Sequence, residues 1–169
     1  MLALLLATGW AFDAEGERIA EELLRYANDG RWSGVEDQYT RMIAEHPTMV
    51  TDEIHRLGAQ SARLEGNLLL SAQRLQRVPS DSPDHAAARA DLEVLASTTG
   101  LVMLDAGRAT LAPVTMPFNP ELRRAVQRAI ERVSEDGYHV GLLPVGDYTL
   151  DGRVVTVRPG FEWQVLTRP

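Results

Sequence analysis

Residues 137–160 read GYHVGLLPVGDYTLDGRVVTVRPG, and this stretch decides how the C-terminal part of the chain is read. Tyr138–Leu143, Tyr148–Leu150 and Val154–Val157 are apolar runs of strand length, separated by glycines and prolines. Asp151-Gly152 between two such runs predicts a tight hairpin, because both residues tolerate the left-handed backbone of a two-residue turn. Pro159-Gly160 predicts a further turn, after which Trp163–Leu166 predicts a last strand.

Immediately upstream the periodicity changes from strand to helix. Asn119-Pro120-Glu121 places a capping side chain, a first-turn proline and an acid in the order a helix start requires. Leu122, Ala125, Val126, Ala129, Ile130 and Val133 then form one apolar stripe, which predicts a helix over 120–135 ended by Asp136-Gly137. Arg123, Arg124, Arg128 and Arg132 lie off the stripe. Their plain reading is a solvated outer face, and their functional reading is a basic face for an acidic partner. Further upstream, Leu101–Asp105 and Ala109–Val114 predict two short strands, the second weakened by Pro113.

The string Gly137-Tyr138-x-Val140-x-x-Leu143-Pro144-x-Gly146-x-Tyr148-Thr149-Leu150 is similar to the core of transthyretin-like sandwich modules, among them the PEGA and carboxypeptidase regulatory-like domains. The resemblance covers residues 100–169 and is specific over 137–160. It implies a small antiparallel β-sandwich in which the Leu-Pro-x-Gly turn closes a hairpin and the tyrosine packs inside. The helix over 120–135 departs from that pattern and is read as an insertion covering one face.

Residues before 100 have helical text throughout. Ile19, Leu23, Tyr26 and Ala27 recur at helix spacing before Asn28-Asp29-Gly30. Val35, Tyr39, Met42 and Ile43 mark a second helix stopped by Pro47. A third spans 51–64, with Thr51 or Asp52 as cap, and a fourth spans 68–78. A fifth is predicted after a cap at Asp84. A common shift carries Gly30 onto Gly66, Trp32 onto Leu68, Tyr39 onto Leu75 and Pro47 onto Pro83, a period in the thirties that marks helical-hairpin repeats. GRWSGVEDQYTRMIAEHP, residues 30–47, resembles the second half of a tetratricopeptide repeat. One hairpin cannot bury its own apolar face, so paired hairpins share a core. The expected architecture is α+β: antiparallel helical-hairpin repeats over 12–99, then an antiparallel β-sandwich with one inserted helix over 100–169.

Residues 1–11, MLALLLATGWA, read as a possible export leader: an apolar run with a small-x-small end at Gly9-Trp10-Ala11. The run is short and lacks a basic start, so a buried helix turn is the competing reading. Export would place the protein in the periplasm or outside the cell; otherwise it is cytoplasmic. No apolar run reaches the ~18 residues of a membrane span. The net charge is −7 and all 17 basic residues are arginine, a balance that argues against nucleic acid as partner. The absence of cysteine excludes disulfides, thiolate metal sites and thiol nucleophiles.

No motif for nucleophilic catalysis, phosphate cradling or histidine-pair metal binding occurs, so no enzyme activity, cofactor or metal is expected. The expected function is a non-catalytic scaffold or interaction protein of the bacterial cell envelope, binding a protein or peptide. Tyr26, Trp32, Tyr39 and Arg63 on the repeats are the candidate contacts, with Arg124 and Arg128 on the inserted helix. Trp32, in an interhelix position, is read as core by default. Phe161 and Trp163 are read as sandwich core by default, or, if exposed, as a platform for a partner or an envelope glycan. Carbohydrate or peptidoglycan binding is the alternative function. A metal-dependent hydrolase using His85 or His139 is a weaker one.

Overall fold

The computed structural model describes residues 2–105, 107 and 109–167, with the helical backbone alone described for 2–13. The predicted leader therefore falls outside the residues whose side chains are described. Helices α1 (Leu2–Asn28), α2 (Trp32–Glu45), α3 (Asp52–Leu64), α4 (Leu68–Leu75) and α5 (His85–Thr98) follow one another, each packed on the next. The predicted apolar faces meet: Ile19 and Leu23 of α1, Val35, Tyr39 and Met42 of α2, and Ile54 of α3 form one buried cluster.

Some helix ends obey local capping chemistry and others do not. Thr51 accepts from the Ile54 amide at 3.3 Å, as expected of a cap. Asp84 stands at the start of α5 but makes no capping bond; its carboxylate is 2.5 Å from Arg56 Nη1 instead. Helix α4 stops at Leu75, short of the predicted Val78, because the Arg77 and Val78 amides bond back three residues, to Arg74 and Leu75.

Helix α5 runs directly into strand β1 (Thr99–Asp105), with no linker at the predicted junction. Strand β2 (Leu111–Pro113), helix α6 (Pro120–Asp136) and strands β3 (Tyr138–Pro144), β4 (Gly146–Leu150), β5 (Arg153–Val157) and β6 (Gly160–Thr167) complete the chain. The strands form two sheets, ordered β3-β1-β6 and β2-β4-β5. Val102, Leu104, Leu143, Tyr148, Leu150 and Val157 pack between them, and α6 closes this core with Val126, Ala129 and Val133. The protein is thus a helical region followed by a small two-sheet module with an inserted helix.

Two details differ from the sequence reading. The β1–β6 pair is parallel, so the first sheet is mixed, while β1–β3, β2–β4 and β4–β5 are antiparallel as expected. The Leu143-Pro144-x-Gly146 turn closes no hairpin; it carries the chain from one sheet to the other. Gly146 adopts φ +146 at this corner, and the buried Tyr148 hydroxyl donates to the Pro144 carbonyl at 2.9 Å, tying the corner shut. Asp151-Gly152 is the predicted tight hairpin turn, with φ of 50 and 80.

The other face of the mixed sheet lies against the helices. Leu101 and Leu142 of the sheet, Ala125 of α6, and Ala59, Leu68, Ala72 and Leu95 of the helices form one cluster. Gly66 is a point of close approach between the two regions. Its φ is +78, and a Cβ there would stand 2.7 Å from the Ala125 backbone nitrogen. Gly30, at φ +68, faces open space. Gly30→Ala is therefore expected to cost about 1 kcal/mol of conformational strain, and Gly66→Ala about 2 kcal/mol or more. Urea unfolding of the two variants reads the difference, and equal costs would show that the contact with α6 is readily relaxed.

Candidate functional site

The register of the mixed sheet sets one face toward α4. Leu101 pairs with Leu142 and Met103 with Val140, and paired residues share a face. Helix α4 crosses this face without sealing it. A cavity of about 390 Å³ remains, walled by Leu69 and Gln73 of α4, Gln76 just past its end, Leu142 of β3, and Phe161 and Trp163 of β6. Trp163 is 61% exposed. Phe161 is half-buried and packs against the shared core. The default expectation of a buried Trp163 is thus corrected: β6 is the edge strand of its sheet, and the indole stands at the mouth of the groove.

The groove continues along β3. Leu69, Val140 and Leu142 also wall a second cavity, of about 200 Å³, whose far side carries Arg128 and Arg132 of α6 and His139 of β3. One end of the groove is therefore apolar and aromatic with amide side chains at its rim, and the other is cationic. His139 is buried, which, together with the Arg128 and Arg132 charges, holds its imidazole pKa down at about 4.

The residues of the N-terminal helices singled out by the sequence do not join this groove. Tyr39 is buried at 2% exposure, its hydroxyl 3.0 Å from His55 Nδ1 and its ring beneath the Arg74 guanidinium at 4.1 Å. It offers a partner no surface. Trp32 is half-buried against the first helical cluster, and its carbonyl accepts from the Ser61 hydroxyl at 3.0 Å. Tyr26 is half-buried, with the Arg31 guanidinium 4.6 Å from its ring centre. Arg63 Nε lies 3.1 Å from Glu121 Oε2, bridging α3 to α6. Arg124 is exposed and donates to the Leu64 carbonyl. Of the predicted residues, Phe161 and Trp163 line one cavity and Arg128 the adjoining one.

Three features had no signal in the sequence. Leu69, Gln73 and Gln76 reach the groove only because α4 lies across β3. Glu36 and Arg74 form a bidentate pair at 2.6 Å between α2 and α4. Val114, Met116, Phe118 and Val145 are exposed around a separate cavity of about 350 Å³, with Phe118 92% exposed. A further cleft of about 210 Å³ holds Arg56 and Arg63, whose charges are already paired with Asp84 and Glu121.

His85, at the start of α5, and His139, on β3, stand on different elements. Among the described residues no three His, Cys, Asp or Glu side chains are grouped to hold a metal ion. Among them, too, no helix is long and apolar enough to cross a membrane. No protein-family model matches the chain, and no curated protein or solved structure shows significant similarity to it.

Proposed function

We propose that this chain is a non-catalytic interaction protein of the bacterial cell envelope that holds an apolar or aromatic segment of a partner protein between α4 and the mixed sheet. The observation that carries this reading is the exposed Trp163 beside Phe161 at an open cavity of about 390 Å³. Large aromatic side chains in such settings dominate binding energies at protein interfaces. In this reading the helices are tetratricopeptide-like and the two-sheet module is transthyretin-like, so the groove is built where a repeat array meets a rigid β support. Residues 1–11, read as a leader, support export.

Selection of displayed peptides against the full chain tests the proposal. Enrichment of sequences with aromatic or large aliphatic residues is expected. Trp163→Ala is expected to weaken the selected peptides by about 30-fold, the effect of a 2 kcal/mol hot spot. Selection of no consensus, or a consensus indifferent to Trp163→Ala, would sink it.

A second reading has its own observation. An exposed indole flanked by Gln73 and Gln76 also suits a sugar ring, whose apolar face stacks while amides bond its hydroxyls. Pelleting with peptidoglycan, lost in Trp163→Ala while peptide selection fails, would favour that glycan reading.

A further inference from the structure

The cationic end of the groove carries chemistry that the aromatic end does not need. Arg128 and Arg132 stand one turn apart on α6 and wall the same cavity of about 200 Å³. Arg132 Nη1 is 2.9 Å from Asp136 at the exposed rim. Arg128 has no ion-pair partner among the described residues. No aspartate or glutamate lies on the cavity walls. The unpaired Arg128 and an Arg132 already bonded to Asp136 thus wall a polar cavity that has no carboxylate of its own, in a chain whose net charge is −7.

His139 supplies an independent indication. It is 9% exposed, and its Nε2 is buried with no hydrogen-bond partner among the described residues. The ring folds over Gly141, itself a wall of the cavity, where a Cβ would stand 2.6 Å from Nε2. Buried polar atoms without a partner are uncommon and unfavourable, so this nitrogen marks a place where a partner belongs. The third wall is the start of α4. Leu68 and Leu69 line it, and the first-turn amides of a helix have no intrahelical acceptor and carry partial positive charge.

We propose that this cavity binds a tetrahedral oxyanion of the phosphate class, free or as the end of a phosphomonoester. Side chains from two elements offer donors to the cavity, Arg128 and Arg132 from α6 and His139 from β3, while at the start of α4 Asn67 already caps the Leu70 amide and leaves those of Leu68 and Leu69. Donors spread over separate directions suit a tetrahedral group with several acceptor oxygens better than a planar carboxylate met by one fork. In its neutral form His139 donates from Nε2 to the oxyanion; protonated, it adds a charge. The site stands apart from the peptide reading, because Arg128, Arg132 and His139 do not line the aromatic cavity.

The test is a titration of the full chain with inorganic phosphate at constant ionic strength, followed through the histidine ring resonances. A saturable shift is expected at His139, with His85 unmoved. Arg128→Gln and, separately, Arg132→Gln are each expected to weaken binding by about tenfold, the loss of one charge-assisted contact. Arg153→Gln, on exposed β5, is expected to leave it unchanged. Phenyl phosphate, titrated in parallel, identifies the source: tighter binding than inorganic phosphate assigns the site to a phosphomonoester, and equal or weaker binding to the free anion. No saturable response, an equal response to acetate, or undiminished affinity in both folded arginine variants would overturn the proposal.

Discussion

Arg74→Ala is expected to remove about 3–5 kcal/mol of folding stability, the cost of breaking a buried ion pair from one side. The Arg74 side chain is 6% exposed and that of Glu36 is 21% exposed. The guanidinium meets both Glu36 carboxylate oxygens at 2.6 Å, and its Nη1 also donates to the Gly58 carbonyl at 2.6 Å. Its face covers the Tyr39 ring. Alanine would leave the Glu36 charge and the Gly58 carbonyl with fewer donors in a place that water reaches poorly, and it would uncover the ring. Arg74→Lys keeps the charge but not the fork, so an intermediate loss is expected. Replacing both Glu36 and Arg74 with methionine is expected to cost less than Arg74→Ala, since neither charge is then stranded. Urea denaturation of the three variants measures this. A loss under about 1 kcal/mol in Arg74→Ala would place the pair among contacts of little net value.

Acid is expected to destabilise the fold through His139 before the carboxylates titrate. Its pKa lies at about 4 in the folded chain, against 6.5 for the ordinary imidazole. Burial is the main cause, followed by the Arg128 and Arg132 charges on α6, of which Arg132 is paired with Asp136. A depressed folded pKa means that the unfolded chain takes up the proton first. The contribution is therefore fully present above pH 6.5 and is lost as pH falls toward 4, a difference of about 3 kcal/mol. His55, lowered by burial and by the Arg77 and Arg74 charges, shifts stability in the same direction. Stability measured from pH 7 to pH 4 in His139→Asn is expected to fall less steeply than in the parent chain. Parallel slopes would show that His139 is protonated as easily folded as unfolded. Phosphate bound at the neighbouring cavity would flatten the parent's slope as well, because an anion favours the imidazolium.

Much of the local structure was legible because its causes are local. Asn119 accepts from the Glu121 and Leu122 amides at 2.8 and 3.2 Å, and Gly137 ends α6 in the left-handed conformation with φ 74. The stripe of Ala125, Val126, Ala129 and Val133 is buried as its spacing foretells. Each of these features is settled within a few residues, by a side chain reaching its own backbone or by helical periodicity.

The groove and the polar core were not legible, and the reason is the range of the interactions. Glu36 reads as one more acid on an acidic helix, and Arg74 as one more solvated arginine, until α2 and α4 lie side by side. Trp163 reads as core because aromatic residues in strands usually are. Its exposure follows from the edge position of β6, which depends on a parallel pairing with β1 that no turn motif announces.

By itself the sequence determined the helices, the two left-handed turns at Gly137 and Asp151-Gly152, and the place of the inserted helix, because periodicity and turn chemistry act along the chain. Residues 137–160 also determined that strands follow. Only the tertiary structure decided that Leu143–Gly146 is a corner between sheets, that Gly66 marks the meeting of α6 with the N-terminal helices, and that Trp163 lines one cavity while Arg128 and His139 line an adjoining one. Those outcomes depend on which face meets which, and a face is known from spacing only as apolar or polar, never by its partner.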